Sequence, residues 1–326
     1  MKILVTGGAG YVGSIVVEEL LKEGYSVVVL DNLQQGHRQA VLEGAQFIQA
    51  DIRRKESLEK IFGEERIDAV MHMAAETAVE DSMANPKRCF GTNIVGGANL
   101  LDGMLNHNVS KLIFSSSAAV YGEPQAVPIE EDHPTNPVNA YGESKLIFEH
   151  ILKWYGKAYG LGYISLRYFN AAGATRFLGE DHHPETHLIP NVLKVALQKN
   201  SSVPIFGIDY PTRDGSCIRD YVHIVDIAKA HILALQSIEK LSGRVYNLGN
   251  GEGYSVLEVV GIARQVLGVD LPIKVYPRRL GDPPVLVASS SRAREELDWE
   301  PRFPQLETII ESAWKWMKEH PNGYGQ

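Results

Sequence analysis

The sequence has few of the features that mark secreted, metal-clustered or nucleic-acid-binding proteins. Its 326 residues include two cysteines, Cys89 and Cys217, which are too few for a disulfide framework or a cysteine metal site. Acidic residues outnumber basic ones by 40 to 32, and no basic stretch stands out, which argues against a nucleic-acid partner. No apolar run approaches about eighteen residues, and the run after Met1 is too short for a signal peptide. We therefore expect a cytoplasmic protein with reduced thiols, away from membranes.

The sequence does contain a regular alternation of short apolar runs with amphipathic stretches. The apolar runs, read as strands, are 2–6, 26–30, 45–50, 69–75, 111–117, 163–170 and 244–248. Helical patterns lie between several of them, at 14–22, 92–105 and 141–159. This alternation predicts an α/β fold, a doubly wound parallel sheet of the Rossmann type with a smaller C-terminal α/β domain. We place the first domain at 1–172, with a returning segment near 215–248, and the second at 173–326.

A glycine turn follows the first predicted strand directly. Gly7, Gly10 and Gly13 are spaced G-x-x-G-x-x-G and precede an amphipathic stretch. Such a turn lets the backbone approach a pyrophosphate, and the N–H groups at the helix start attract its charge. Asp31 ends the second strand, where a carboxylate accepts hydrogen bonds from ribose hydroxyls and repels a 2′-phosphate. Together these features predict an NAD site rather than an NADP site.

Tyr141 and Lys145 form the most suggestive pair for chemistry. They are four residues apart, so a helix would put both side chains on one face. An ammonium beside a phenol favours the phenolate and moves the tyrosine toward use as a general base. The spacing alone is weak, because most such pairs are a half-buried aromatic beside a solvated lysine. Ser115, Ser116 and Ser117 would end a neighbouring strand, close to this pair.

Other polar residues have a less specific meaning. His72 lies inside an apolar strand, which favours a hydrogen-bonded core histidine. The stretch 171–187 is predicted to be a loop, and its His182, His183 and His187 have no cysteine beside them and no evident preorganisation. We therefore expect no metal there. Arg219 and Arg279 are candidates for binding a phosphate with two donors, although arginines more often form surface salt bridges.

Taken together, these residues resemble the extended short-chain dehydrogenase/reductase family over nearly the whole chain. The segments 6–13, 31–33, 115–122 and 141–145 are shared by many of its members. The segments 167–170, 219–224 and 278–282, in this order, are similar to those of nucleotide-sugar epimerases. The resemblance implies a homodimer formed through the helices near 92–105 and 141–159.

The resemblance also implies a role for each matching residue. Tyr141 is expected to be the base, with Lys145 lowering its pKa and Ser117 bonding the sugar 4-hydroxyl. The residues expected to hold NAD are Gly7, Gly10, Tyr11, Val12, Gly13, Asp31, Asn32, Asp51, Ile52, Ala74, Asn93, Ser115, Tyr141, Lys145 and Tyr168. The residues expected to hold a UDP sugar are Ser117, Tyr141, Asn170, His187, Leu188, Arg219, Arg279 and Asp282.

Three positions depart from a common form of the family pattern. Thr77 replaces a lysine near the pyrophosphate, and His187 replaces an asparagine that contacts the nucleotide. Leu286 replaces a tyrosine of the sugar pocket, which leaves room for N-acetylated sugars. Ala118 and Ala119 stand where related dehydratases carry an acidic pair that eliminates water.

The expected reaction is therefore the interconversion of UDP-galactose and UDP-glucose through a 4-keto sugar. Three alternatives remain at this point. The chain could act as a 4-epimerase of another UDP sugar, such as an N-acetylhexosamine or a pentose, or as a UDP-glucuronate decarboxylase. From a different class, it could be an NAD(H)-sensing binding protein, although such proteins usually lack the tyrosine and lysine pair.

Overall fold

The computed structural model describes residues 1–198, 201–279 and 281–325. Leu280, within the predicted motif at 278–282, lies outside the described residues. The strands are β1 Lys2–Thr6, β2 Ser26–Asp31, β3 Ala45–Gln49, β4 Ala69–His72, β5 Lys111–Ser117, β6 Gly162–Tyr168, β7 Asn170–Ala172, β8 Val203–Phe206, β9 Ile218–Arg219, β10 Tyr221–His223, β11 Arg244–Leu248, β12 Tyr254–Ser255, β13 Ile273–Tyr276 and β14 Val285–Leu286. The α-helices are α1 Tyr11–Lys22, α2 Lys55–Glu64, α3 Val79–Ala84, α4 Pro86–Phe90, α5 Gly97–Asn106, α6 Ala140–Tyr159, α7 Leu188–Leu197, α8 Ile224–Leu241, α9 Val256–Leu267, α10 Ser291–Leu297 and α11 Leu306–Glu319.

Seven parallel strands form the central sheet, in the order β11-β6-β5-β4-β1-β2-β3. The strand order reverses between β1 and β4, which is the point where doubly wound sheets bind their ligands. Both faces are covered, as the unbroken apolar runs require. In β1, Ile3 and Val5 belong to the core cluster that includes α1 and α8, while Leu4 belongs to the cluster that includes α2, α5 and α6. The predicted fold class is confirmed.

The predicted element boundaries were mostly close, with informative exceptions. The run 163–170 is not one strand, because β6 ends at Tyr168 and Asn170 begins β7, which pairs with β10. The helix predicted at 92–105 begins as a π-helical turn at Gly91–Gly96 and continues as α5. The strand predicted at 244–248 does rejoin the sheet, where β11 pairs with β6.

The C-terminal part of the described chain has its own core. Three small sheets lie outside the main one, pairing β7 with β10, β8 with β13, and β9 with both β12 and β14. A third apolar cluster joins α7, α9 and α11, with Val192, Val260 and Ile310 buried among its members. The division into domains at 172 stays a prediction. Among the described residues, no helix combines the length and the apolarity needed to cross a membrane.

Candidate active site

The glycine turn between β1 and α1 is packed too closely for side chains. Gly7 has a φ of +74°, and a Cβ there would lie 2.6 Å from the backbone nitrogen of Ala74. A Cβ on Gly13 would lie 2.1 Å from the carbonyl oxygen of Gly7. The N-cap residue Gly10 supplies no side-chain cap, and the first turn of α1 carries no acidic residue. The helix start therefore keeps backbone donors for an external anion, as a pyrophosphate site requires.

Asp31 lies beside this turn, at the carboxyl end of β2. Its carboxylate is 7% exposed and accepts hydrogen bonds from the backbone N–H of Ala9 at 3.0 Å and of Leu33 at 2.8 Å. Burial raises its pKa, while these backbone donors lower it. Asn32 donates to Asp51 at 3.2 Å, so the three predicted adenosine-binding side chains meet at one edge of the sheet. Ile52, predicted to contact the adenine, is buried next to them.

Helix α6 carries Tyr141 and Lys145 on its first turns. Asn139 caps the helix by accepting from the backbone N–H of Gly142 at 2.8 Å. The Lys145 ammonium is buried, donates to the Ser115 carbonyl at 2.7 Å, and lies 5.8 Å from the centroid of the Tyr141 ring. Burial lowers the pKa of Lys145 to about 8. The pair predicted from the spacing therefore has a buried lysine beside a half-buried tyrosine, unlike the common case of a solvated lysine.

The pKa of Tyr141 depends on opposing contributions. Burial raises it, and the Ser117 hydroxyl beside it lowers it, without reversing the shift. The Lys145 ammonium donates to the Ser115 carbonyl rather than to the phenol, and its expected lowering of the Tyr141 pKa stays a prediction.

Asn93 connects this helix to the loop after β4. It accepts from the backbone N–H of Glu76 at 2.7 Å, and it donates to the Glu76 carbonyl at 3.0 Å and to the Ser144 hydroxyl at 2.8 Å. Ser144 in turn donates to the Tyr141 carbonyl at 2.7 Å. Asn93 was predicted to lie near the cofactor, and its side-chain contacts hold the start of α6 in place.

Sequence reasoning missed His231, a buried residue of α8. Its Nδ1 lies 2.9 Å from the Ile227 carbonyl, which can only accept, so Nε2 accepts from the Ser115 hydroxyl at 2.9 Å. Burial lowers the pKa of His231 to about 4, which keeps the ring neutral. The Tyr168 ring lies 6.1 Å from it. Nothing in the local sequence of α8 signals this contact, because Ser115 belongs to a distant strand.

A buried ion pair supports the same strand ends. Arg167 donates to both carboxylate oxygens of Glu149, at 3.0 and 2.5 Å, and each side chain is 7% exposed. Ser116 donates to Glu149 at 2.5 Å, and Arg167 donates to the Tyr121 hydroxyl at 2.9 Å. These contacts join α6 to β5 and β6 directly below the candidate catalytic residues. His72, as expected, is a core histidine, with its Nδ1 2.8 Å from the Thr6 hydroxyl.

The residues predicted to hold the nucleotide lie in the C-terminal part. Arg219 is 9% exposed, forms an ion pair with Asp282, and donates to the Ile218 carbonyl at 2.7 Å. It also lies opposite Leu286 in the pairing of β9 with β14. Arg279 lies 4.0 Å over the Phe206 ring, and its Nε is 3.3 Å from a carboxylate oxygen of Glu80. Both arginines thus lie within ion-pair distance of a carboxylate. Asn170, at the start of β7, donates its backbone N–H to the Asp220 carbonyl at 2.9 Å.

His187 has a different environment from the one predicted. It is the N-cap residue of α7, which begins at Leu188, and its Nδ1 lies 2.7 Å from Glu180 and 2.8 Å from Glu185. Burial opposes the charge on His187, but the two carboxylates raise its pKa well above the ordinary value. His182, rather than His183, shares this cluster, with ring centroids 5.3 Å apart. The expectation that this loop lacks preorganisation is wrong, because buried carboxylates order it.

Comparison with known proteins identifies the family of this chain. A model of the NAD dependent epimerase/dehydratase family matches residues 3–249. The chain is 53% identical to the UDP-glucose 4-epimerase of Halalkalibacterium halodurans, over 99% of this chain and 98% of that one. A crystal structure of a UDP-glucose 4-epimerase superposes with a TM-score of 0.96 at 50% identity, covering all of both chains. The Bifidobacterium longum enzyme, crystallised with NAD+ and UDP, superposes with a TM-score of 0.95 at 39% identity, over 99% of this chain and 100% of that one. The resemblance is confirmed, and the chain belongs to the NAD dependent epimerase/dehydratase family.

Proposed function

We propose that this protein interconverts UDP-galactose and UDP-glucose by transient oxidation at C4 of the sugar. The observation that carries the proposal is the convergence of Tyr141, Lys145 and Ser117 at the carboxyl ends of β5 and β6, in a family that uses NAD. The near-identical fold of the UDP-glucose 4-epimerases supports the same assignment.

The residues present fit a dinucleotide in the extended form that this fold binds. Close packing at Gly7 and Gly13 forms the backbone cradle, and the uncapped first turn at Tyr11 and Val12 points donors at the pyrophosphate. Asp31 holds the adenosine ribose, and its charge disfavours a 2′-phosphate. NAD held by these residues would supply the hydride chemistry at C4, as acceptor in the first half-reaction and donor in the second.

Tyr141 is the proton-transfer group in this mechanism. As the phenolate it accepts the proton of the sugar 4-hydroxyl, and it gives the proton back when the ketone is reduced. Ser117 holds the same oxygen, which keeps it within reach of the phenol. Lys145 contributes a buried positive charge, which opposes the desolvation that raises the Tyr141 pKa.

The stereochemical change requires the sugar to turn while the nucleotide stays bound. Arg219 and Arg279 bind the diphosphate in this proposal, exchanging the carboxylates of Asp282 and Glu80 for phosphate oxygens. Strong interactions on the diphosphate and few on the hexose let the 4-keto sugar present its opposite face. Elimination of water is disfavoured, because Ala118 and Ala119 supply neither acid nor base.

The same site accommodates a second candidate activity, epimerisation of an N-acetylated UDP sugar. The observation in its favour is Leu286, which lies next to Arg219 where a bulkier residue would narrow the pocket.

The proposal also includes a cytoplasmic homodimer. Two buried, unpaired cysteines support the location, and two exposed side chains, Val95 and Trp154, support a dimer face on the π-helical turn and α6.

The direct test mixes purified protein with UDP-galactose, without added NAD, and follows the products by NMR. The proposal predicts UDP-glucose as product, because NAD stays bound through purification. A parallel reaction with UDP-N-acetylgalactosamine tests the second candidate. Failure to convert either sugar, with NAD present in the purified protein, would move the assignment to another nucleotide sugar or to an NAD(H)-sensing protein.

A further inference from the structure

A compact group of two histidines and two glutamates lies in the loop before α7, apart from the catalytic tyrosine. Glu180, His182, Glu185 and His187 each place one donor atom within 4.8 Å of every other. Both carboxylates are buried, with side chains 7% exposed for Glu180 and 3% for Glu185. The four donors come from eight consecutive residues and face a common centre.

Two buried atoms of this group lack the partners that buried polar atoms need. Among the described residues, the Glu185 Oε2 has no hydrogen-bond partner, although its Oε1 accepts from the backbone N–H of His187 at 2.8 Å. The Nδ1 of His182 also has none, although it lies 3.2 Å from the Glu180 carboxylate. Buried polar atoms are nearly always paired, so these two atoms are free to contact a ligand bound within the cluster.

We propose that Glu180, His182, Glu185 and His187 bind one divalent transition-metal ion, with zinc as the preferred ion. Two imidazoles and two carboxylates are a zinc ligand set, and the imidazoles disfavour calcium and magnesium. The ion neutralises the two buried carboxylates and occupies the space that both orphaned atoms border. Donors at about 2.1 Å from a tetrahedral zinc lie about 3.4 Å apart, so a donor pair at the 4.8 Å limit closes by roughly 1.4 Å on binding.

The position of the cluster gives this ion a structural role. His187 is the N-cap of α7, and His182 packs its ring edgewise on Tyr11, with centroids 6.4 Å apart. The Tyr11 hydroxyl donates to the Gly173 carbonyl at 2.6 Å, at the beginning of the same loop. A metal ion therefore fixes the loop between the first turn of α1 and the start of α7, next to the cofactor cradle.

The test measures metal binding directly and does not depend on turnover. Full-length protein is treated with chelator, dialysed, loaded with Zn²⁺, and passed over a desalting column before elemental analysis. The proposal predicts one zinc per chain. It also predicts that protein loaded with Co²⁺ shows the visible absorption of a four-coordinate site with nitrogen and oxygen ligands. Glu185→Gln and His182→Gln each reduce the affinity at least about tenfold, the usual effect of weakening one ligand position.

The matched control is His183→Gln. His183 is adjacent in sequence, and its side chain is 66% exposed and lies 3.3 Å from Asp181, outside the four-residue cluster. This variant should bind zinc like the parent protein. Retention of less than stoichiometric zinc by the parent protein, or the spectrum of hydrated Co²⁺, would overturn the proposal, whether or not the variants fold. Equal loss in His183→Gln would overturn the assignment of the ligands.

Discussion

The two ends of the candidate site are held in different ways. At the catalytic end, Lys145, Ser115 and His231 are joined by hydrogen bonds that involve no exposed partner, and Arg167 and Glu149 pair beneath them. At the proposed nucleotide end, Arg219 and Arg279 are paired with carboxylates, which a bound diphosphate would displace. Under the proposed function, buried contacts fix the catalytic end, while the nucleotide end would exchange partners on binding. This difference suits a reaction in which chemistry needs fixed geometry and the nucleotide binds and leaves.

The largest effect should come from removing the proton-transfer group. Tyr141→Phe is expected to lower kcat by about 10²–10⁴-fold, since this is the contribution of a positioned acid or base. Conversion of UDP-galactose measured by NMR checks it. Tyr159→Phe is the control, because Tyr159 is on the same helix with 63% of its surface exposed. Unchanged turnover in Tyr141→Phe would exclude the tyrosine from the mechanism.

Breaking the buried ion pair between Arg167 and Glu149 should show how much this pair contributes to the stability of the catalytic end. Glu149→Gln leaves Arg167 buried without its charge partner, which costs about 3–5 kcal/mol of unfolding free energy. Glu239→Gln removes an exposed partner of Lys111 and should cost far less, because solvent screens exposed ion pairs. Denaturant unfolding of both variants makes the comparison. Equal destabilisation would mean that the buried pair does not hold this end together.

Changing a nucleotide anchor should affect binding more than chemistry. Arg219→Met removes charged hydrogen bonds worth about 1.5–3 kcal/mol, so the KM for UDP-galactose should rise roughly 10–150-fold while kcat changes little. Arg213→Gln is the control, because Arg213 pairs with Glu258 on the exposed surface of the same part of the chain. If kcat fell as far as kcat/KM, Arg219 would belong to the catalytic end instead.

The smallest effect concerns pH. Burial holds the pKa of Lys145 at about 8, below its ordinary value of 10.5, so the ammonium is charged below about pH 8 and neutral above it. Loss of that charge removes support for the Tyr141 phenolate, and kcat/KM should fall by up to about tenfold per unit above pH 8. The pH profile of Lys145→Gln, whatever its residual activity, should lack this decline. A decline that persists in the variant would assign it to another group.

The sequence predicted the features that depend on local patterns of residues along the chain. Apolar runs and helical stretches predicted the parallel sheet, and glycine spacing predicted the turn after β1, because close backbone packing there tolerates no side chain. The Tyr141 and Lys145 pair was predicted because four residues make about one helical turn. These features depend on contacts between near neighbours along the chain.

The features that escaped prediction depend on distant segments or on burial. His231 meets Ser115 only because α8 packs against β5. The direction of the Tyr141 pKa shift follows from desolvation, which spacing does not encode. The break between β6 and β7 also escaped, since Tyr168 and Asn170 belong to one apolar run yet pair with different strands.

The central claim is that hydride leaves C4 and returns to C4 of the same sugar. UDP-galactose carrying deuterium at C4 tests it most directly, with the product analysed by NMR and mass spectrometry. The account predicts UDP-glucose that retains the deuterium at C4, because bound NAD carries it from one face to the other without exchange with water. Replacement of the deuterium by solvent hydrogen would contradict the account, since it would require C4 to exchange a proton instead of a hydride.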